Sequence, residues 1–134
     1  MLYVLDTNIL IAMLKGDARV AARLATLPLS QLRLSCIVLG ELEFGAEKSA
    51  YSVQNRARIT ELKQCMPLLG IDAETASHYT HIRQALEARG TPIGANDLWI
   101  AAQVRSIGAT LVSHNLREFQ RVDGLLLEDW LAPR

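Results

Sequence analysis

Met1-Leu2-Tyr3-Val4-Leu5-Asp6-Thr7-Asn8 opens the chain with an unbroken apolar run that stops on three polar residues. Because it is continuous and contains Tyr and Val, the run from Leu2 to Leu5 reads as a short buried strand, and Asp-Thr-Asn suits the cap of a following helix. A strand that passes directly into a helix is the opening of a crossover unit, so the next question is whether the pattern recurs.

It recurs along the whole chain. Ile9 to Leu14 completes the first helix, Gly16 punctuates it, and Ala18 to Leu27 supplies a second helical stretch that Pro28 stops. Leu32 to Ser35 alternates as a strand, Ile37 to Lys48 has apolar residues at helical spacing, and Val53 to Cys65 is a further helix. Met66 to Leu69 is a third strand. Asp72 opens a long helix through Arg89 that Gly90 and Pro92 end, and Ile93 and Gly94 connect it to a helix over Asp97 to Ser106. Gly108 precedes a strand at Thr110 to Val112, and Leu125 to Leu127 is the fifth. Five short strands alternating with helices predict a mostly parallel sheet covered on both sides, an α/β fold in a single domain over residues 1–134.

Such sheets gather ligands beyond the carboxyl ends of their strands. Asp6 lies just past the first strand, where it is either a helix cap worth about 1 kcal/mol or part of a site. Glu41 shares a helical face with Ile37, Val38, Phe44 and Gly45, so its charge points along an apolar stripe and calls for a basic partner or a metal. Asp97 precedes Leu98-Trp99-Ile100-Ala101 and reads equally as a cap. Asn115, beside Ser113 and His114, reads equally as a turn residue. Each plain reading stands alone, but three acids at the mouths of one parallel sheet share a cleft. At about 4 Å, two carboxylates repel by about 4 kcal/mol at an effective dielectric near 20, so their convergence requires a cation. Hard oxygen donors without a Cys/His pattern select magnesium or manganese, not structural zinc.

Composition narrows the field from another side. Among 134 residues, 14 basic and 14 acidic side chains cancel, so any polyanion must meet a local basic patch. Arg117 and Arg121, at four-residue spacing just after Asn115, are the candidates for phosphate contacts with such a polyanion. Cys36 and Cys65 sit among apolar neighbours and read as buried free thiols of a reducing cytoplasm. The first apolar run is too short for a membrane span or a secretory signal, so a soluble, unprocessed, cytoplasmic chain is expected. His114 adjoins the cleft and reads as a surface or substrate-contacting residue, and His78 and His81 as an exposed helix face.

Four segments taken together carry a family resemblance: Leu5-Asp6-Thr7-Asn8; Leu39-Gly40-Glu41-Leu42 with Gly45; Ile93-Gly94-Ala95-Asn96-Asp97 with Ile100-Ala101-Ala102; and Leu111-Val112-Ser113-His114-Asn115 with Arg117-Glu118-Phe119. In this order and spacing they resemble the PIN domain, in particular the VapC-type toxins of bacterial toxin–antitoxin pairs, from Met1 to about Trp130. The resemblance implies a three-layer α/β/α sandwich and a Mg2+-dependent endoribonuclease, with Mn2+ as the alternative ion. It carries Asp6, Glu41 and Asp97 onto the acidic metal-site positions and places Asn115 at a fourth position that is often acidic, which weakens a second metal site. Thr7, Asn8 and Ser113 fall on positions that support the acids by hydrogen bonding. A homodimer and a VapB-type antitoxin covering the acidic site are also implied, with apolar helical surface around Ile9, Ile11, Leu14 and Leu24 open to either contact.

Three other readings compete. A phosphoacceptor receiver domain needs a Lys near its last strands, and no Lys follows Lys63. A haloacid-dehalogenase-type phosphatase needs a second Asp where Asn8 stands. A PIN-like module that binds RNA or a partner without cutting is the remaining alternative, motivated by the neutral Asn115.

Overall fold

The computed structural model describes residues 1–132. Five strands, β1 (Tyr3–Leu5), β2 (Leu32–Ser35), β3 (Leu68–Leu69), β4 (Thr110–Val112) and β5 (Leu126–Glu128), form one sheet in the order β3-β2-β1-β4-β5. Every pairing is parallel, with Tyr3 facing Leu32 on one side and Thr110 on the other. The sheet is therefore wholly parallel, where the sequence led us to expect a mostly parallel one. Val4, Leu5, Leu111 and Val112 have no exposed surface, which is why these strands are apolar without alternation.

Among the described residues seven α-helices accompany the sheet: α1 (Thr7–Leu14), α2 (Ala18–Leu24), α3 (Cys36–Lys48), α4 (Ser52–Cys65), α5 (Ala73–Ala88), α6 (Ala95–Ser106) and α7 (Leu116–Phe119). Asp72 caps α5 by accepting from the Thr75 amide at 2.9 Å, and Gly90, at φ +70°, turns the chain out of it as its position after the apolar period suggested. None of the helices among the described residues is long and apolar enough to cross a membrane.

Strand order decides where a site can form. The chain steps from β1 outward to β2 and β3, then returns to lay β4 on the opposite side of β1. The crevice between the carboxyl ends of β1 and β4 is thus the switch point of the sheet, the place left open by helices that depart in opposite directions.

Several sequence expectations shift on contact with the packing. The helix α6 starts at Ala95 with Gly94 as its cap, so Asp97 lies inside the first turn and caps nothing. The core face of α3 is Val38, Leu42 and Ala46, and Phe44, on the stripe assigned to Glu41, is 65% exposed. Of that stripe only Val38 is core, and Glu41 stands at its rim, half-buried between Val38 and the exposed Phe44 and Gly45. Both cysteines are free, but neither is fully buried: Cys36 is half-buried at the start of α3 and Cys65 is exposed at the end of α4. His78 is half-buried and its Nδ1 accepts from Arg105 Nε at 2.8 Å, joining α5 to α6, whereas His81 does face outward. Ile9 is entirely core, leaving Ile11 as the exposed member of its apolar group.

Candidate active site

The switch point is built from chain ends that cannot avoid one another. Asp6 leaves β1 with its amide still bonded to Val112 O at 2.8 Å, so the first residue past β1 is held against the end of β4. Ser113, the first residue past β4, donates its hydroxyl to Asp6 Oδ2 at 2.7 Å. The other carboxylate oxygen of Asp6 accepts from the Thr7 amide at 2.8 Å. Asp6 is thus both things the sequence allowed: it caps α1, and at 6% exposure it stands in the crevice.

Glu41 reaches the same crevice from α3, where its Oε1 accepts from Thr7 Oγ1 at 3.1 Å. Burial pushes its carboxyl pKa up, and the nearby Asp6 charge adds to this against the Thr7 hydrogen bond. Asp97 enters from the first turn of α6. Its carboxyl is pushed up to about 8, first by burial, then by a hydrogen bond shared with Glu118 and by the charges of Asp6, Glu118 and Glu41. The α6 dipole works in the opposite direction but is worth only about 0.3–1 kcal/mol, too little against burial and three neighbouring acids.

Glu118 is the residue that sequence reasoning missed. It comes from α7, immediately after Asn115, and its carboxyl is lowered by the hydrogen bond from Asp97, by the Asn115 amide and by the Gly94 backbone. Asp97 and Glu118 thus titrate together, Asp97 pushed up and Glu118 lowered. Asn115 bridges them, its Nδ2 donating to Glu118 Oε2 at 3.0 Å and to Asp97 Oδ2 at 3.3 Å, while its backbone amide donates to Ser113 Oγ at 2.9 Å. The fourth acid therefore sits three residues past the position where the sequence comparison placed Asn115. Its one available signal was the i, i+3 spacing at the start of a helix after a strand.

The remaining candidates divide. Thr7 and Ser113 each bond directly to an acid, whereas Asn8 is exposed and its side chain donates to none of them. Arg117 is exposed. Arg121 spends its guanidinium on Pro92 O at 3.0 Å, and α7 ends at Phe119, so the two arginines do not share the helical face their spacing suggested. His114 projects outward and pairs with Asp129.

Chemically the crevice offers hard oxygen donors and little else. Among the described residues no ion pair joins Asp6, Glu41, Asp97 or Glu118 to a Lys, Arg or His. Four carboxylates at one crevice, with Glu41 and Asp97 pushed up by burial and by neighbouring acidic charge and with none of the described Lys, Arg or His residues in an ion pair to them, suit a divalent cation of the magnesium class. Yet among the described residues no three Asp, Glu, His or Cys side chains are close enough together to hold an ion as they stand. The acids converge on one edge, each tied by its own neutral partner, without closing into a finished cage.

Comparison with known proteins agrees with this geometry. The PIN domain model matches residues 3–125. Ribonuclease VapC2 of Haemophilus influenzae is 39% identical over 129 residues, covering 96% of this chain and 98% of its own length. The tRNA(fMet)-specific endonuclease VapC of Shigella flexneri is 38% identical over 128 residues, covering 96% of this chain and 97% of its own. Among solved structures, DNA-bound VapBC from Salmonella typhimurium matches with a TM-score of 0.89 at 37% identity, over 97% of this chain and 99% of that one. A parallel sheet in this strand order, acids gathered at its switch point, and end-to-end similarity of this depth lead to one assignment: the chain belongs to the PIN domain family, within its VapC group.

Proposed function

We propose that this protein is a Mg2+-dependent endoribonuclease, with Mn2+ as a possible substitute, acting as the toxin of a type II toxin–antitoxin pair. The observation that carries the reading is the meeting of Asp6, Glu41, Asp97 and Glu118 at the β1/β4 crevice, where among the described residues none of them forms an ion pair with a basic side chain. Glu118 also counts against a non-catalytic module, since α7 brings a carboxylate beside Asn115.

Asp6, Glu41 and Asp97 would hold the cation, with Glu118 beside Asp97. The bound ion would supply Lewis-acid polarisation of a phosphoryl oxygen and a more acidic water. The protein's own groups do the rest. Ser113 and the Thr7 amide orient the Asp6 carboxylate, and Thr7 Oγ1 orients Glu41. Asp97 and Glu118 hold a proton that must leave before both can act as anions, and one of the two is then placed to orient or deprotonate the attacking water. Hydrolysis by water leaves a 5′-phosphate and a 3′-hydroxyl.

The tRNA-specific name of the Shigella relative makes transfer RNA the first substrate class to try. A VapB-type antitoxin is the proposed partner, in keeping with the VapBC complex matched above. Its inhibitory segment has a suitable bed in a groove of about 310 Å³ lined by Ile11, Leu14, Leu42, Ala46 and Ile59, with Glu41 at its edge. A homodimer in the cytoplasm completes the proposal. The test is incubation of the purified protein with total cellular RNA, with and without magnesium, followed by end mapping. Discrete fragments bearing 5′-phosphates only when magnesium is present are expected. No cleavage, or cleavage indifferent to chelation, would overturn it.

A further inference from the structure

A second polar pair stands one strand away from the acids. The β4/β5 ladder continues past both strands, with the Ser113 amide bonded to Glu128 O at 3.0 Å, and this sets His114 beside Asp129. His114 Nδ1 lies 3.0 Å from Asp129 Oδ2, and the other Asp129 oxygen accepts from the Leu131 amide at 2.9 Å. The two partners differ sharply in exposure: the Asp129 side chain is 9% exposed and that of His114 is 59% exposed. A pair of two exposed side chains is worth at most about 1 kcal/mol and orients nothing firmly. Here a buried, doubly engaged carboxylate grips one ring nitrogen of an exposed imidazole.

That grip has a chemical consequence. A carboxylate only accepts, so Nδ1 carries the hydrogen, and in the neutral ring Nε2 is left as a lone-pair acceptor. Among the described residues nothing bonds to Nε2. Its location is close to the acids, because Ser113 on one side bonds to Asp6 and Asn115 on the other bonds to Asp97 and Glu118. Adjacent Cα atoms are about 3.8 Å apart, so the imidazole is within a nucleotide or two of the crevice. An acceptor that close to the crevice is within reach of the sugar–phosphate backbone of a strand lying in the site. Phosphate oxygens are acceptors too and do not suit it, whereas the ribose 2′-hydroxyl can donate.

We infer that His114, with its ring set by Asp129 as a positioning residue, accepts a hydrogen bond from a ribose 2′-hydroxyl of the substrate strand and so helps this site distinguish RNA from DNA. The inference rests on the proposed nuclease reading for its substrate. It deepens that reading by naming the group that reads the sugar.

The test separates binding from cutting. A short synthetic stem-loop RNA that the protein binds, and versions with a single 2′-deoxyribose at each loop position, are titrated by fluorescence anisotropy with calcium in place of magnesium. For the wild-type protein one deoxy position should weaken binding about fivefold to twentyfold. His114→Ala should weaken binding to the all-ribose strand by a similar factor and abolish the penalty at that one position. His114→Gln, whose side-chain oxygen also accepts, should restore part of it, and Asp129→Asn should blunt it without removing it. The inference is overturned if no single deoxy position matters to the wild type, or if the penalty survives unchanged in His114→Ala. Magnesium-dependent cleavage by the wild type is scored separately, so a protein that binds with this pattern yet never cuts condemns the nuclease reading and leaves the 2′-hydroxyl contact standing.

Discussion

Two polar clusters lie along the same edge of the sheet and behave in opposite ways. At the ends of β2 and β3, Ser35 donates to Gln103 Oε1 at 2.5 Å and accepts from the Ile37 and Val38 amides, while Gln103 Nε2 donates to Leu69 O and Gly70 O at 3.0 and 3.1 Å. Ser35 and Gln103 are both wholly buried and every one of these groups is neutral and satisfied. At the ends of β1 and β4, acidic side chains meet one another with only hydroxyls and amides between them. The neutral cluster ties α6 to β2 and β3 and needs nothing further. The acidic cluster carries repulsion that the fold relieves only in part, by pushing Asp97 up, and such perturbed acids at a switch point mark a working site, not a structural tie.

The contrast can be broken by substitution. Asp6→Asn, Glu41→Gln and Asp97→Asn should each lower RNA cleavage by about 10³-fold or more without unfolding the protein, and Glu118→Gln by about 10- to 100-fold. Single-turnover cleavage rates measure this, and unchanged activity in any two of the first three would sink the mechanism. The neutral cluster predicts the reverse pattern. Gln103→Leu strands the Ser35 hydroxyl and two strand-end carbonyls, costing about 1–3 kcal/mol and roughly 5–12 °C in Tm, while cleavage per folded molecule holds. A melt within a degree or two of wild type would mean the network stabilises nothing.

A titration sharpens the comparison further. Asp97 in the folded protein keeps its proton to about 8, against 3.8 for the unperturbed group, so between those values the folded state binds more protons than the unfolded chain. Stability in chelator should therefore fall as pH rises across that window, by on the order of 1 kcal/mol once solvent screening is allowed for. Magnesium should reverse the slope, because it binds the deprotonated acids. Thermal melts in chelator at several pH values, repeated with Asp97→Asn, decide it: the variant should lose most of the slope, and a slope that persists places its origin elsewhere. The smallest effect belongs to Asn115→Asp. It replaces a donor to Asp97 and Glu118 with a further carboxylate, so magnesium binding should tighten a few-fold while the metal-free protein loses on the order of 1 kcal/mol. Calorimetry showing weaker binding would remove Asn115 from the cation's surroundings.

The errors of sequence reading are as instructive as its successes. Asp6 was legible because the residue after a buried first strand has one place to go. Asp97 was picked out by its company with the other acids and by the family resemblance, while its local reading as a cap fails, since helix starts are blurred by a residue or two and Gly94 takes that role. Glu118 was passed over because an acid in Arg117-Glu118-Phe119 has the look of an ordinary solvated helix turn. Gln103 was invisible inside Ile100-Ala101-Ala102-Gln103-Val104, because periodicity reports which face is buried and not what a polar group on that face will meet. Asp129 follows the last strand by one residue, and only the β4/β5 register brings it to His114.

The linear chain by itself determined the alternation of strand and helix, the parallel sheet that follows from it, and three of the acids at the strand and helix ends where such a sheet presents its ligands. These depend on local period and on the handedness and length of crossovers, which neighbouring residues encode. Only the tertiary structure decided that Glu118 joins Asp97, that Asn115 stands between them as a donor, that Arg121 is spent on a backbone carbonyl, and that His114 has a buried carboxylate behind it. Those outcomes depend on which strand ends lie side by side, and adjacency between residues far apart in sequence is set by the packing of the whole sheet.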